Sequence, residues 1–285
     1  MGTFKLTDAS TWTDIRSRDG TKLFCRQWRI GSAARGSILL VPGLGEQSGR
    51  YLHVGDFFRQ AGFEVIAIDL RGHGRSAGPR GYVERYGDFL DDARAAISLA
   101  KAHPLLVLGH SFGGQLALAL ASRKEPNIAG YITSAPWLGL TSPPAAWLVG
   151  LGALSNIFVP KHRFATGLES KAMSTDQAHL DSLADLDLDH CWITARAYFE
   201  ITAEARRLLK HPSANAPVLI AHGDVDQVTS TEAARVFFKV LKAPAKELKI
   251  YQGYLHELHN EIGRERVLQD YLDWIEKVVF AVKTG

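Results

Sequence analysis

Five apolar runs, each five to eight residues long and each stopped by a turn or loop, constrain this chain most. They are SILLV (37–41), EVIAID (64–69), LLVLG (105–109), IAGYITSA (128–135) and APVLIAH (216–222), and KELKIY (246–251) reads as a more polar strand after them. A short apolar run with little alternation fits a strand covered on both faces, the usual environment in a parallel sheet. Helical patterns separate these runs: Tyr51 to Ala61 ending at Gly62, Asp88 to Lys101, Phe112 to Ser122, Thr231 to Lys242, and a last amphipathic stretch to about Val279. In the second of these, Leu90, Ala93, Ile97 and Ala100 share one face. Lys22 to Trp28 alternates and reads as a further strand. Strands alternating with helices predict an α/β fold, a mostly parallel sheet doubly wound by helices.

The alternation stops after residue 135. About 80 residues with prolines at 136, 143, 144 and 160 follow before it resumes. The expected organisation is therefore a core of residues 1–135 and 213–285, with 136–212 inserted as a helical cap over one end of the sheet.

Composition narrows the class. The chain has 33 Lys and Arg against 30 Asp and Glu, spread along its length, so a nucleic-acid partner is not expected. Cys25 and Cys191 form no C-x-x-C pattern and read as two reduced, mostly buried thiols, which points to a reducing compartment. MGTFKLTDAS lacks the apolar segment of a secretory signal, and Leu6 stands where myristoylation requires Ser or Thr. The longest apolar stretch, Ala145 to Leu154, is broken by glycines and is too short to span a bilayer. A soluble, cytoplasmic protein is expected, with peripheral membrane contact left open.

The pattern G-x-S-x-G occurs twice, as Gly74-Arg75-Ser76-Ala77-Gly78 and as Gly109-His110-Ser111-Phe112-Gly113. It marks a nucleophile only where a strand enters a strained turn and a helix leaves it. LLVLGH precedes Ser111 and FGGQLALALAS follows it, whereas Ser76 stands seven residues after the end of its strand and is followed by Pro79 and Gly81. Ser111 is thus the candidate nucleophile and Ser76 a loop residue. A serine hydroxyl needs a base, and the base a carboxylate to orient it. In a doubly wound sheet both come from loops at the carboxyl ends of later strands. GDVDQV offers Asp224 or Asp226, and YLHELHNE offers His256 or His259. A metal site built on His256 and His259 lacks a nearby third ligand.

The segments PGLGEQSGRY, DLRGHGRSAG, GHSFGG, HGDVDQV and YQGYLHELHNE together resemble the monoacylglycerol lipase and lysophospholipase branch of the α/β-hydrolase family. The resemblance implies an α/β-hydrolase fold and a serine hydrolase without cofactor or metal. It carries the acid to Asp226 and the base to His256, with Asp224 a turn residue and His259 outside the chemistry. One oxyanion donor is the backbone N–H of Phe112, directly after the nucleophile, and the resemblance points to Leu44 for the other; each such donor contributes roughly 3 to 4 kcal/mol. The family usually reads His-Gly where this chain has Pro42-Gly43, which puts the rigidity of that loop in question. Glu46, Arg50 and Arg71 read equally as a cluster bracing the oxyanion loops and as solvated charges, and His73 and His110 read as structural.

In the cap, Trp147, Leu148, Leu151, Leu154 and Phe158 recur at spacings of three or four. Such a stripe either packs on the cap and core or lines an acyl channel and touches lipid. Trp137, Trp147, Leu148 and Leu151 are the candidate substrate contacts. The expected activity is hydrolysis of single-acyl-chain lipid esters, a monoacylglycerol or a lysophospholipid. The rivals are a carboxylesterase or acyltransferase working on short soluble esters, and a noncatalytic ligand-binding protein of the same fold.

Overall fold

The apolar runs lie at the centre of an eight-stranded sheet. In the computed structural model, which describes residues 10–31, 33–183 and 188–280, its strands are β1 (Thr11–Arg16), β2 (Lys22–Trp28), β3 (Gly36–Val41), β4 (Phe63–Asp69), β5 (Leu105–His110), β6 (Ile128–Ser134), β9 (Val218–Gly223) and β10 (Lys246–Tyr251). They are ordered β1-β2-β4-β3-β5-β6-β9-β10. The β1–β2 and β2–β4 pairings are antiparallel, and the pairings that link β4 to β10 are parallel. Two short strands, β7 (Arg163–Ala165) and β8 (Trp192–Thr194), form a separate antiparallel pair. The edge strand β1, TWTDIR, was not foreseen: it is half exposed and carries no apolar run.

Successive residues of the central strands enter opposite layers, as the pleat requires. Leu39, Val41, Ile66, Val107, Val218 and Ile220 pack in one layer with α2 (Tyr86–Ile97), α3 (Phe112–Ser122), α6 (Ala195–Lys210) and α7 (Thr231–Val240). Their neighbours Ile38, Leu40, Val65, Leu106, Leu108 and Leu219 pack in the other layer with α1 (Leu52–Gln60) and α8 (Arg264–Ile275). Both layers are buried, which is why these strands read as continuous apolar runs. The doubly wound sheet expected from the sequence is present. α2 begins at Tyr86, two residues ahead of the expected start, because the Asp88 carboxylate turns back to accept from the Arg85 N–H at 3.1 Å.

Within residues 136–212, α6 turns Ala197, Ile201 and Leu208 into the layer it shares with α3. α4 (Ala146–Phe158) and the β7–β8 pair instead supply residues to a cavity over the carboxyl ends of the strands, and α5 (Gln177–Leu183) lies between β7 and β8 in the chain. Strand register gathers those ends at one edge, with Gly109 opposite Val41, His110 opposite Ser134, Ser134 opposite Ala221 and Tyr251 opposite Gly223. The loops that follow therefore meet. Among the described residues no helix is long and apolar enough to cross a membrane.

Candidate active site

Ser111 occupies the turn between β5 and α3 with φ 53° and ψ −116°. Such a conformation costs a non-glycine residue on the order of 1–3 kcal/mol and persists only where its surroundings impose it. Here the Ser111 N–H donates to the Ser134 carbonyl at 2.8 Å, and the Ser111 carbonyl accepts from the Trp137 N–H at 3.0 Å. The flanking glycines are forced by close approach. A Cβ on Gly109 would lie 2.1 Å from the Gly113 carbonyl oxygen, and one on Gly113 would lie 2.1 Å from the Val41 carbonyl oxygen. The Phe112 N–H opens α3, where no carbonyl of the helix is in reach. Its ring is buried edge-on to Phe89, 4.8 Å between centroids.

Ser111 and His256 line one cavity of about 540 Å³. Asp226 lies behind His256. Its Oδ2 is 2.8 Å from His256 Nδ1 and accepts from the Thr229 hydroxyl at 3.0 Å, while its Oδ1 accepts from the N–H groups of Val228 and Thr229 at 2.7 and 3.0 Å. Burial alone would raise the pKa of this carboxyl, but the charge of His256 and hydrogen bonds from His222 and His256 outweigh burial and hold it far below the carboxylate range. Burial likewise opposes protonation of His256, and the charge and hydrogen bond of Asp226 overcome it, so the imidazole pKa is raised. This arrangement leaves Nε2 of His256 as the position from which a proton can be exchanged with a group in the cavity. His222 and Thr229 were given no role in the sequence reading, although His222 opens the HGDVDQV segment four residues before Asp226, at the end of β9.

Asp224 accepts from the Gly253 N–H at 2.6 Å, tying the loop after β9 to the loop after β10, and it is Asp226 that pairs with His256. His259 stacks on Tyr51 and its carbonyl accepts from His53 Nε2 at 2.8 Å. Ser76 is buried and turned inward. Its Oγ accepts from the Phe24 N–H at 2.8 Å and donates to the Asp69 carbonyl. His73 and His110 are both buried, and desolvation lowers each to about 3, so both stay neutral. No group of histidines, cysteines and carboxylates suited to a metal ion occurs among the described residues.

The loop after β3 is braced from two sides. Below it, Glu46 accepts from the Gly43 N–H at 2.7 Å and from the Tyr51 hydroxyl. Above it, the His190 N–H donates to the Gly45 carbonyl at 2.9 Å. The carboxylate of Glu46 thus supports the loop that carries Pro42 in place of histidine. Arg50 extends the brace, 2.7 Å from Asp189, 2.6 Å from Glu257 and 3.8 Å from Glu46. Burial raises the pKa of Glu46 and moves that of Asp189 up to about 6, whereas Arg50 holds Glu257 well below its ordinary value against burial. Arg71 binds Asp92 at 2.6 Å and Asp19 at 2.8 Å. Bracing of the loop after β3 describes Glu46 and Arg50, whereas Arg71, though not solvated, joins the loop after β4 to α2 and to the β1–β2 turn.

The family described as serine aminopeptidase, S33, matches residues 32–263. The chain belongs to it. It is an ester hydrolase of α/β-hydrolase type, in the monoacylglycerol lipase-like branch. The chain is 29% identical over 262 residues to the monoacylglycerol lipase of Mycolicibacterium smegmatis, covering 90% of this chain and 93% of that protein. It is also 29% identical over 272 residues to an uncharacterized abhydrolase domain-containing protein of Dictyostelium discoideum, covering 94% of this chain but spanning only 29% of that protein's length. Among solved structures it resembles the monoacylglycerol lipase of Paleococcus ferrophilus, with 27% identity and a TM-score of 0.79 over 89% of this chain and 98% of that one.

In this α/β-hydrolase the cavity wall differs in part from expectation. Leu44, Trp137 and Leu148 line it, whereas Trp147 and Leu151 do not. At 100° per residue, Leu148, Val149 and Gly152 share the face of α4 turned to the cavity, which swings Trp147 and Leu151 to the side. They are 69% and 54% exposed, and with Leu154, Ile157 and Phe158 they form an apolar face open to solvent. No residue of α4 is buried, so the stripe does not pack on the core. Cys25 is buried as expected, but Cys191 is exposed and borders the cavity, because it immediately precedes β8 at the cavity wall.

Proposed function

We propose that this protein hydrolyses single-acyl-chain lipid esters through an acyl-enzyme. One observation carries the reading: a serine in a strained strand-to-helix turn opens into the same cavity as a histidine whose far nitrogen is held 2.8 Å from a buried carboxylate. In this proposal Ser111 Oγ attacks the acyl carbonyl as His256 Nε2 takes its proton. The tetrahedral oxyanion is met by the N–H groups of Phe112 and Leu44. Collapse breaks the ester bond, and His256 returns the proton to the departing alkoxide. Water, deprotonated by His256, then releases the fatty acid and frees Ser111. Asp226 stays ionised and holds the imidazole throughout.

The cavity divides by chemistry. Trp137, Leu148, Val149, Phe164, Tyr198 and Phe199 suit an acyl chain, while Glu46, Arg50, Asp189 and Glu257 lie together near His256. Among the described lining residues Arg50 is the one Lys or Arg, and three carboxylates already surround it. A phosphate would meet those carboxylates with no free cation, so a neutral polyol head group is favoured and monoacylglycerol is the proposed substrate. We also propose that residues 136–212 act as a cap and that the exposed apolar face of α4 rests on the lipid surface from which substrate is drawn. The test is hydrolysis of monoacylglycerol beside lysophosphatidylcholine of the same chain, with Ser111→Ala as control. Turnover of the first well above the second, lost in the variant, is expected. A rate maximum at acetyl or butyryl esters that falls toward long chains would instead mark a short-ester carboxylesterase.

A further inference from the structure

The carboxylate behind His256 faces a second imidazole. His222, the penultimate residue of β9, is fully buried, and its Nε2 lies 3.0 Å from Asp226 Oδ2 and 3.1 Å from the Thr229 carbonyl oxygen. Both of these neighbours are acceptors, and the Thr229 hydroxyl, 3.4 Å from Nε2, directs its proton to Asp226 Oδ2 at 3.0 Å, so a bare lone pair on Nε2 would be repelled. The proton therefore sits on Nε2, donated to the Thr229 carbonyl with its positive end also facing Asp226. Nδ1 is buried with no partner among the described residues. A proton there would be an unmatched buried donor, so the ring hydrogen belongs on Nε2.

We infer that His222 is a positioning residue for the hydrolytic site, acting on Asp226 directly and through Thr229. The peptide it holds by the Thr229 carbonyl also sends the Thr229 N–H to Asp226 Oδ1 and the Thr229 hydroxyl to Oδ2. Rotation of the carboxylate away from His256 would break each of these contacts. The N–H dipole also disperses negative charge on Oδ2, which limits how tightly protonated His256 is held and keeps it able to give its proton up. The titratable and charged groups around the pair are Asp226 itself, His110 with its ring 4.7 Å from that of His256, and Glu257 and Glu46 with the Arg50 they share.

This inference rests on the proposed roles of Ser111, His256 and Asp226, and its test separates the two. His222→Gln can set an amide N–H near the position of Nε2, whereas the shorter amide of His222→Asn falls near Nδ1, and His222→Leu has no donor. Each full-length variant is assayed on a soluble p-nitrophenyl ester across the acidic and neutral range. In the Leu and Asn variants kcat/KM should fall about tenfold, with KM little changed, because one hydrogen bond in the charge-bearing network is lost. Their acidic limb should move up by about half a pH unit as Asp226 grips the imidazolium more tightly. His222→Gln should retain both wild-type values. A purely structural histidine would leave the limb in place and would not distinguish Gln from Asn; either result overturns the inference. Failure of wild-type Ser111 to react with a fluorophosphonate probe would instead remove the hydrolase reading on which it stands.

Discussion

Two serines answer to the same five-letter pattern, and replacing each by alanine should have opposite consequences. Ser76→Ala removes an oxygen that accepts from the Phe24 N–H at 2.8 Å and donates to the Asp69 carbonyl, both in the buried β2–β4 pairing. Leaving those backbone groups unmatched should cost about 1–3 kcal/mol. Unfolding entropy near the midpoint is about 2 cal/mol/K per residue, or about 0.6 kcal/mol/K for 285 residues, so the midpoint should drop by about 2–5 °C. The turnover number of the surviving folded enzyme should be nearly unchanged. Ser111→Ala removes one atom facing a cavity, so its midpoint should stay within about 2 °C, while turnover should fall by about 10⁴-fold or more. Thermal melts by circular dichroism, run beside ester hydrolysis on the same preparations, decide the matter. A Ser76→Ala enzyme that melts like wild type yet is inactive, or a Ser111→Ala enzyme that keeps its rate, would refute the assignment of roles.

Other substitutions probe the remaining parts. Asp226→Asn should lower kcat by about 10³–10⁴-fold with little change in KM, measured on a soluble ester. Because Asp226 raises the pKa of His256, and the base must be neutral to act, kcat/KM should rise with pH through a value above the ordinary imidazole pKa of about 6.5; the same shift stabilises the fold below that pKa, and the stabilisation is lost as pH rises through the folded value. Gly45→Ala would set a Cβ 2.1 Å from the His190 carbonyl oxygen at φ +85°, and should lose about 1–3 kcal/mol of stability together with activity, read by denaturant titration and assay. Replacing Trp147, Leu154 and Phe158 together by serine should weaken sedimentation with lipid vesicles while leaving soluble-ester kinetics and the melting midpoint near wild type, since none of the three is buried.

What the chain discloses about itself follows from how each feature is held. Parallel strands covered on both faces need apolar side chains at successive positions, so β3, β4, β5, β6 and β9 stand out. β1 pairs only at an edge, and its residues Thr11 to Arg16 satisfy that position without an apolar run. The proposed nucleophile is legible because its context is local, a strand, a turn and a helix within about 20 residues of chain. His222 and Thr229 stand within seven residues of each other and close to Asp226, but their contacts with it depend on how the loop folds back, which spacing does not report. The charges at 46, 50 and 71 illustrate the same limit, because bracing and solvation use the same letters and only burial separates them. In α4 the spacing correctly marks an apolar face, but which face meets the cavity is set by the rotation of the helix over the strand ends.

The crowding around the turn at Ser111 bears on what a saturation scan of this region would report. At positions 109 and 113 any added carbon presses on a backbone carbonyl, so an inactive variant there records misfit of the main chain and says nothing about proton transfer. At position 111 removing the hydroxyl leaves the main chain free to keep its path, so lost activity there records chemistry. The scan would give three alternate columns of dead variants, at 109, 111 and 113, with two different causes, and a measurement of folding on each would be needed to tell them apart.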